Sequence, residues 1–230
     1  MVDKINKLVI NLTFFISIFS AGLSFAQEND FAIWENIYLE KILPHKTTIH
    51  LNHEGRIKEN ASQFNYAYAD VGITKKINKY FHFSFDYVFM EKALNTSFWS
   101  TRHQLYADVV YKYNRKSFRY YLRSMLQAQT QDIYSSESGS IPSYYLRNKI
   151  IVKYCLRRYT PYMATEFYYN LNSNSKLGKQ FDRARYFAGC FYELDKANEV
   201  EIYYLFENHF NVNHSDNNYI LGLGFSHTFY

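Results

Sequence analysis

The stretch LGLGFSHTFY, residues 221–230, alternates large apolar side chains with glycine and small polar residues. Successive side chains of a β-strand point to opposite faces, so Leu221, Leu223 and Phe225 share one apolar face. The stretch finishes on the aromatic pair Phe229 and Tyr230. One lipid-facing side, one small polar side and interfacial aromatic residues are typical of a strand of an outer-membrane β-barrel. The stretch therefore predicts the closing strand of such a barrel.

Residues 1–26 have the pattern of a cleaved signal peptide. Lys4 and Lys7 precede a short apolar stretch over 8–19, and Ser24-Phe25-Ala26 places small residues at positions −3 and −1 of a cleavage site. The alternative is an N-terminal membrane anchor, for which the apolar stretch is short. We expect a signal peptide over 1–26 and one barrel domain over 27–230.

The composition of the chain limits its class. Aromatic residues make up 20% of the sequence, while it has only 8 Gly and 3 Pro. The mean hydropathy is −0.39, and no apolar run of about 18 residues follows residue 26, so a helical membrane span is not expected. The net charge of +5 comes from scattered charges of both signs and not from a basic stripe, so we expect no nucleic-acid partner.

The rest of the sequence divides into stretches with a hydrophobic period of two, which predicts an all-β chain. The clearest lies over 80–91, where Phe81, Phe83 and Phe85 alternate with His82, Ser84 and Asp86. Tight turns alternate with longer connections, and Tyr and Phe concentrate around the tight turns, as in outer-membrane barrels. The predicted strands lie at about 31–41, 46–58, 64–76, 80–91, 99–113, 117–130, 144–156, 160–171, 181–194, 199–211 and 219–230.

These stretches predict a single antiparallel transmembrane β-barrel of about 10–12 strands. Eleven candidates are visible, yet bacterial single-chain barrels have even strand numbers. Either residues 27–41 lie outside the wall and ten strands close, or a twelfth strand is hidden. We favour ten or twelve over eleven.

The polar face of the strands carries charges of both signs. A barrel of this size is close to the size that side chains can fill, and unpaired ions in a dry interior are costly. Two interpretations stay open: an ion-paired filling, or the lining of a narrow conduit or ligand pocket. The residues predicted to face the lumen are Arg56, Asp86, Arg102, Asp108, Arg119, Arg123, Arg147, Lys149, Glu166, Arg183, Arg185, Glu199 and Glu201, together with Glu54, Lys153 and Glu207.

One cluster resembles catalytic machinery. His82, Ser84 and Asp86 share a strand face, and outer-membrane phospholipases and lipid A deacylases use a His-x-Ser pair. A working pair needs hydrogen-bond reach and an orienting group, which a spacing of two does not supply. These three residues are therefore candidates only, and no catalytic residue is predicted outright. The histidines show no metal-ligand spacing and no phosphate-binding glycine loop is present, so we expect no metal and no cofactor.

Several motifs together resemble a known family, the outer-membrane barrels of domain of unknown function 2490 found in Bacteroidota. The resemblance covers essentially the whole chain after residue 26 and implies an outer-membrane barrel, with no established activity and no catalytic residues. The motifs are Trp34 with Leu39-Glu40-Lys41; Glu54-Gly55-Arg56; Arg119 to Arg123; Leu146-Arg147-Asn148-Lys149 before Tyr154; Pro161-Tyr162 with Glu166 to Asn172; Phe181 to Tyr186; and the Leu-Gly-Leu-Gly-Phe ending.

Three functions are compatible with these observations. The first is an integral outer-membrane barrel that is structural or a narrow conduit, with outer-membrane lipid as its surroundings and the barrel-assembly machinery as a partner through Leu221 to Tyr230. The second is an outer-membrane hydrolase of lipid that uses His82 and Ser84. The third is a soluble periplasmic barrel for an apolar ligand, which requires the apolar face inside and the charged face outside.

Overall fold

The computed structural model of the protein describes residues 28–94, 98–131, 142–172, 180–212 and 215–230. The predicted signal peptide, residues 1–26, lies outside these ranges. No helix of the described residues is long and apolar enough to cross a membrane. The strands in these ranges are β1 Glu28–Leu43, β2 Thr47–Lys58, β3 Gln63–Lys76, β4 Phe81–Ala93, β5 Trp99–Arg115, β6 Phe118–Gln131, β7 Ser143–Tyr154, β8 Tyr159–Asn170, β9 Gln180–Glu193, β10 Asn198–His209 and β11 Asp216–Phe229.

The eleven strands of the described residues form one closed barrel in which each strand pairs with its neighbours in chain order. The all-β barrel prediction is confirmed, and the preference for ten or twelve strands is wrong. Residues 28–43 do not lie outside the wall, because β1 pairs with β2 from Ile33↔Ile57 to Leu43↔Thr47.

An odd number of strands changes how the barrel closes. Consecutive strands alternate in direction, so the first and the eleventh run the same way, and β1 pairs with β11 in parallel from Glu28↔Asp216 to Lys41↔Phe229. The barrel is antiparallel, as predicted, in the other strand pairs, and this seam is the exception. A parallel ladder is only slightly less stable per residue than an antiparallel one, so parallel closure costs the barrel little stability.

Strand β4 shows how the period of two becomes two surfaces. Phe83 and Phe85 are 43% and 49% exposed on the outer side, whereas Ser84 and Asp86 between them are 8% and 1% exposed on the lumen side. The same arrangement recurs around the barrel, with large exposed apolar side chains on every strand. The outside of the barrel is apolar and the interior is polar, which is the reverse of a soluble domain.

The short turns that follow β1, β3, β5, β7 and β9 lie at one end of the barrel, the tight-turn end, and aromatic residues surround them on the outside. Asp195 and Asn78 stabilise two of these turns, because their side-chain oxygens accept backbone N–H groups at 2.7–2.9 Å. Hydrogen bonds from Asn198 and the Ala197 backbone keep the pKa of Asp195 below its usual value. The ring contacts at this end include Phe81–Tyr111, Phe118–Tyr154 and Tyr159–Tyr192, with centroids 4.8–5.3 Å apart.

The interior also holds an apolar cluster beside the parallel seam. Trp34 of β1, Tyr203 and Leu205 of β10 and Ile220 of β11 are all buried in it. Gly222 lies between Trp34 and Tyr203 in the register of the wall. The Tyr203 ring lies over Gly222, where a Cβ atom would overlap it. The glycine therefore makes room for an aromatic side chain inside the barrel.

Candidate functional site

Glu166 of β8 is the centre of the buried charge network in the lumen. Its side chain is 1% exposed, and its Oε1 atom accepts from Arg123 Nη2 at 2.6 Å and lies 2.9 Å from Arg147 Nη2. Arg185 approaches the second carboxylate oxygen at 4.0 Å. Arg147 and Arg185 come from the two strands that flank β8, and Arg123 comes from β6, one strand further away. The carboxylate thus joins four strands.

A second carboxylate, Glu207 of β10, extends this network. Arg185 Nε donates to Glu207 Oε2 at 2.5 Å, and Arg183 Nη1 lies 4.0 Å from the same oxygen. His209 Nε2 lies 3.2 Å from Glu207 Oε1, while His209 Nδ1 lies 2.5 Å from Asp216 Oδ1. Arg185 is therefore shared between Glu166 and Glu207, and the two clusters form one network.

The guanidinium groups also stack on lumen aromatics. Arg56 pairs with Glu54 at 2.5 Å, and its Cζ atom lies 3.8 Å from the Trp34 ring centroid and 4.3 Å from that of Tyr66. Arg185 lies 5.3 Å from the same Trp34 ring. An Arg guanidinium is attracted to the face of an aromatic ring when it lies within about 6 Å of the ring centroid. Trp34 consequently connects the β2 side of the lumen to the β9 side.

The charged side chains surround a polar cavity of about 370 Å³. Six cationic and four acidic side chains line it, so the walls carry a cationic excess. They are Arg56, Arg123, Arg147, Lys149, Arg183, Arg185, Glu54, Asp70, Glu166 and Glu201. Buried carboxylates with several Arg partners link neighbouring strands, and the surplus cations can bind an anionic or strongly polar group.

A second cavity of about 440 Å³ lies near the tight-turn end and is acidic. Glu40, Glu193, Glu199 and Glu201 line it with Asp195, against the single lysine Lys196. The central cavity thus has a cationic excess and the second cavity an acidic one.

The structure brings together most of the predicted lumen residues but not all of them. Arg56, Arg123, Arg147, Lys149, Glu166, Arg183 and Arg185 surround the central cavity, and Glu201 accepts from the Tyr162 hydroxyl at its edge. Arg102 lies apart, beside Lys92 in a smaller cavity, and Asp86 and Asp108 lie in a separate acidic region of the lumen wall. Arg119 is exposed near the β5–β6 turn, and Glu199 belongs to the acidic cavity.

Several lumen residues were missed because they are aromatic, among them Trp34, Tyr66, Tyr106 and Tyr203. Trp34 and Tyr203 face inward, although the sequence interpretation assigned aromatic residues mainly to the outer girdle. Their alternation with outward-facing Ile33, Ile37 and Tyr204 was the signal that could have identified them.

The three catalytic candidates all face the lumen, away from the outer surface. His82 is half-buried, and Ser84 lies opposite Asp108 of β5 and hydrogen-bonds to it. Asp86 is paired with His50 of β2 at 2.5 Å and not with His82. Ser84 and Asp86 thus have separate partners, and neither is placed to act on a lipid outside the barrel.

The family of the chain follows from comparison with known proteins. A family model described as "Protein of unknown function (DUF2490)" matches residues 31–219. The chain belongs to the DUF2490 family. No curated protein matches this DUF2490 chain.

One solved structure similar to this DUF2490 barrel is the translocator domain of autotransporter NalP from Neisseria meningitidis. The two share 13% sequence identity, and the match covers 76% of this chain and 72% of that one with a TM-score of 0.45. This similarity is too weak to support an argument about function.

Proposed function

We propose that this DUF2490 protein is an integral outer-membrane β-barrel with a lumen filled by paired charges, which serves as a structural barrel with a narrow polar pocket and not as an open pore. The proposal rests on the burial pattern, in which apolar side chains are exposed on the outside and charged side chains are buried in the interior. Phe85, Leu122 and Ile202 are 48–53% exposed on the outside, while Glu166 and Asp86 are each 1% exposed within. Soluble monomers rarely expose continuous apolar surface on this scale, and lipid is the solvent that such a surface favours.

Two further features support a membrane location. The strands have 12–17 residues, more than the about 9–11 that a tilted strand needs to cross a bilayer. The external aromatic rings cluster around the tight turns, where an interfacial girdle is expected. The soluble ligand-binding alternative requires the opposite orientation of the two faces.

Membrane extraction and a pair of matched substitutions test the proposal. The wild-type protein should resist alkaline carbonate and urea and should migrate differently on gels before and after heating. Phe85→Arg places a cation in the central part of β4, where lipid exposure costs roughly 2–4 kcal/mol, whereas Phe81→Arg lies beside the tight turn, where the cost falls to about 0–1 kcal/mol. We expect Phe85→Arg to reduce the folded, heat-modifiable fraction strongly and Phe81→Arg to leave it nearly intact.

Either of two results would contradict a membrane barrel. One is release of the wild-type protein into the soluble fraction by carbonate. The other is equal assembly of the two arginine variants, because depth should not matter to a surface that contacts water.

The lumen contacts support a filled interior. Arg56 of β2 and Arg185 of β9 approach the same Trp34 ring from strands on the two sides of β1. Glu166 joins strands β6 to β9. Trp34, Arg56 and Arg185 line both the central cavity and a smaller cavity of about 170 Å³, so their contacts lie between these two cavities.

We also propose the barrel-assembly machinery as a partner of Leu221 to Tyr230. In the finished barrel, β11 is paired on both edges, with β10 and with β1. Recognition of its backbone must therefore precede closure, when both edges are free to pair. Site-specific cross-linking from position 229 during insertion tests this: an adduct with the machinery that disappears once the barrel is folded supports it, and no adduct at any stage contradicts it.

A further inference from the structure

Three neighbouring strands bring His50, Asp70 and Asp86 together on the lumen wall. They lie on β2, β3 and β4, and one ligand atom from each falls within 4.8 Å of the others. All three groups are buried: Asp86 is 1% exposed, Asp70 is 6% exposed, and the His50 side chain is 8% exposed. We propose that these three residues form a binding site for a divalent transition-metal ion, with Zn²⁺ as its best-matched probe.

Gly72 is the feature that allows the cluster to exist. It lies between His50 and Asp86 in the register of the wall, opposite one on β2 and the other on β4. A Cβ atom at this position would overlap the Asp86 carboxylate and come within 2.6 Å of His50 Cε1. The missing side chain leaves a gap in the lumen wall, into which an imidazole and a carboxylate project from both sides.

The oxygens at the site lack enough partners. Asp86 Oδ2, Asp70 Oδ1 and the nearby Asp108 Oδ1 are all buried and accept no hydrogen bond from any residue that the structure describes. Buried polar atoms are almost always satisfied, and buried charges are paired or coordinate metals. Three carboxylates in this region face one imidazole, with Arg123 contributing at Asp108. A divalent cation would supply both the charge and the ligands that the orphaned oxygens lack.

Neighbouring side chains hold two of the three residues in place. The Tyr106 hydroxyl donates to Asp70 Oδ2 at 2.7 Å, which orients this carboxylate. The Tyr38 ring stacks on His50 with centroids 5.5 Å apart and an interplanar angle of 28°. Hydrogen bonds and packing of this kind hold metal ligands in place. Asp70 and Tyr106 also line the central cavity, so an ion has a polar route to the site and room for a water ligand.

The donor set selects the class of ion. One imidazole nitrogen and two carboxylate oxygens suit Zn²⁺, with ligand distances of about 2.0–2.2 Å, in a site that keeps an open position for water. Imidazole favours Zn²⁺, Fe²⁺, Ni²⁺ or Cu²⁺ over Ca²⁺ and Mg²⁺, which prefer oxygen ligands only. The competing explanation is that His50 is protonated and forms a simple ion pair with Asp86 across their 2.5 Å contact.

Titration calorimetry on the folded barrel in detergent separates the two explanations. The full chain is freed of metal with EDTA, dialysed, and titrated with ZnCl₂ and, in parallel, with CaCl₂. We expect one saturable Zn²⁺ site and no comparable Ca²⁺ binding. Asp86→Asn and Asp70→Asn keep the side-chain shape, and each should weaken Zn²⁺ binding by at least about tenfold. Gly72→Ala should do the same by filling the gap.

The chain offers a matched control in its second lumen His–Asp pair, His209 and Asp216, whose nitrogen and oxygen also lie 2.5 Å apart. His209→Gln should bind Zn²⁺ as the wild type does. Heat-modifiable migration verifies folding of each variant, and the three site variants give independent readings if one fails to assemble. Two results would overturn the proposal in favour of a protonated His50. One is the absence of saturable Zn²⁺ binding to the wild type, and the other is equal Zn²⁺ binding by the wild type, Asp86→Asn and Asp70→Asn.

Discussion

Replacing Glu166 by Gln tests whether the lumen network holds the barrel together. The substitution keeps the volume of the side chain but removes the carboxylate that Arg123 and Arg147 contact at 2.6 and 2.9 Å. Removing one partner of a buried ion pair costs about 3–5 kcal/mol, because the remaining charge stays buried without compensation. The side chains of Arg123 and Arg147 keep 24% and 14% exposure, so cavity water can partly rehydrate them. We therefore expect a loss of about 3 kcal/mol, which lowers the folding equilibrium constant by roughly 150-fold.

Equilibrium unfolding in urea, with the barrel in lipid vesicles and folding followed by heat-modifiable migration, measures this loss. Glu193→Gln is the control, because Glu193 is exposed and its substitution should cost less than about 0.5 kcal/mol. The double variant Glu166→Gln with Arg123→Gln should lose less than the two single losses combined, since the pair is coupled. Equal stability of Glu166→Gln and the control would refute the view that Glu166 organises the arginines.

Two further predictions concern activity and conduction. Ser84→Ala should leave any hydrolysis of phospholipid or lipid A in the preparation unchanged, because Ser84 faces the lumen opposite Asp108. A loss of turnover in this variant alone would restore the hydrolase hypothesis. In planar bilayers the wild type should show no steady conductance. A double Arg56→Ala and Arg185→Ala variant should pass ions, because both contacts to Trp34 are lost. Steady conductance of the wild-type barrel would contradict a filled lumen.

Periodicity predicted the strands that have two clearly different faces. In β4 the outward positions from Phe81 to Phe89 are all aromatic and the inward positions begin with His, Ser and Asp, so its orientation could be read directly from the sequence. In β1 the outward face includes Glu35, paired with His53 at 3.8 Å, and the inward face includes Trp34. The pattern nevertheless predicted β1 as a strand, and the preference for ten or twelve strands came from the even strand numbers of bacterial single-chain barrels. The parallel pairing of β1 with β11, which permits an odd number, forms between distant parts of the chain and leaves no local signal in the sequence.

Prediction from the sequence meets a different limit at the charged site. The period of two placed Glu166, Arg123 and Arg185 on the lumen face, but it carries no information about which charges meet. Arg123 contacts Glu166 across the intervening strand β7, and that contact depends on barrel curvature and register. A register shift between Tyr168 and Tyr169 also turns Asp182 inward, where Tyr145 donates to it. Neither the curvature nor the bulge leaves a simple signal in the sequence.

The parallel seam and the filled lumen are physically connected. The ladder between β1 and β11 is the one pairing of the described barrel with parallel geometry, and it joins the first and last strands of the barrel. The buried apolar cluster lies directly behind it, with Trp34 on one side of the seam and Ile220 on the other. The Tyr203 ring, seated over Gly222 of β11, extends this packing to β10. Fully buried apolar side chains each contribute about 1.5–3 kcal/mol, more than the small deficit of a parallel ladder. Packing inside the lumen thus adds to the stability of the parallel closure. The side chains that fill the lumen behind the seam also leave no wide channel at that level.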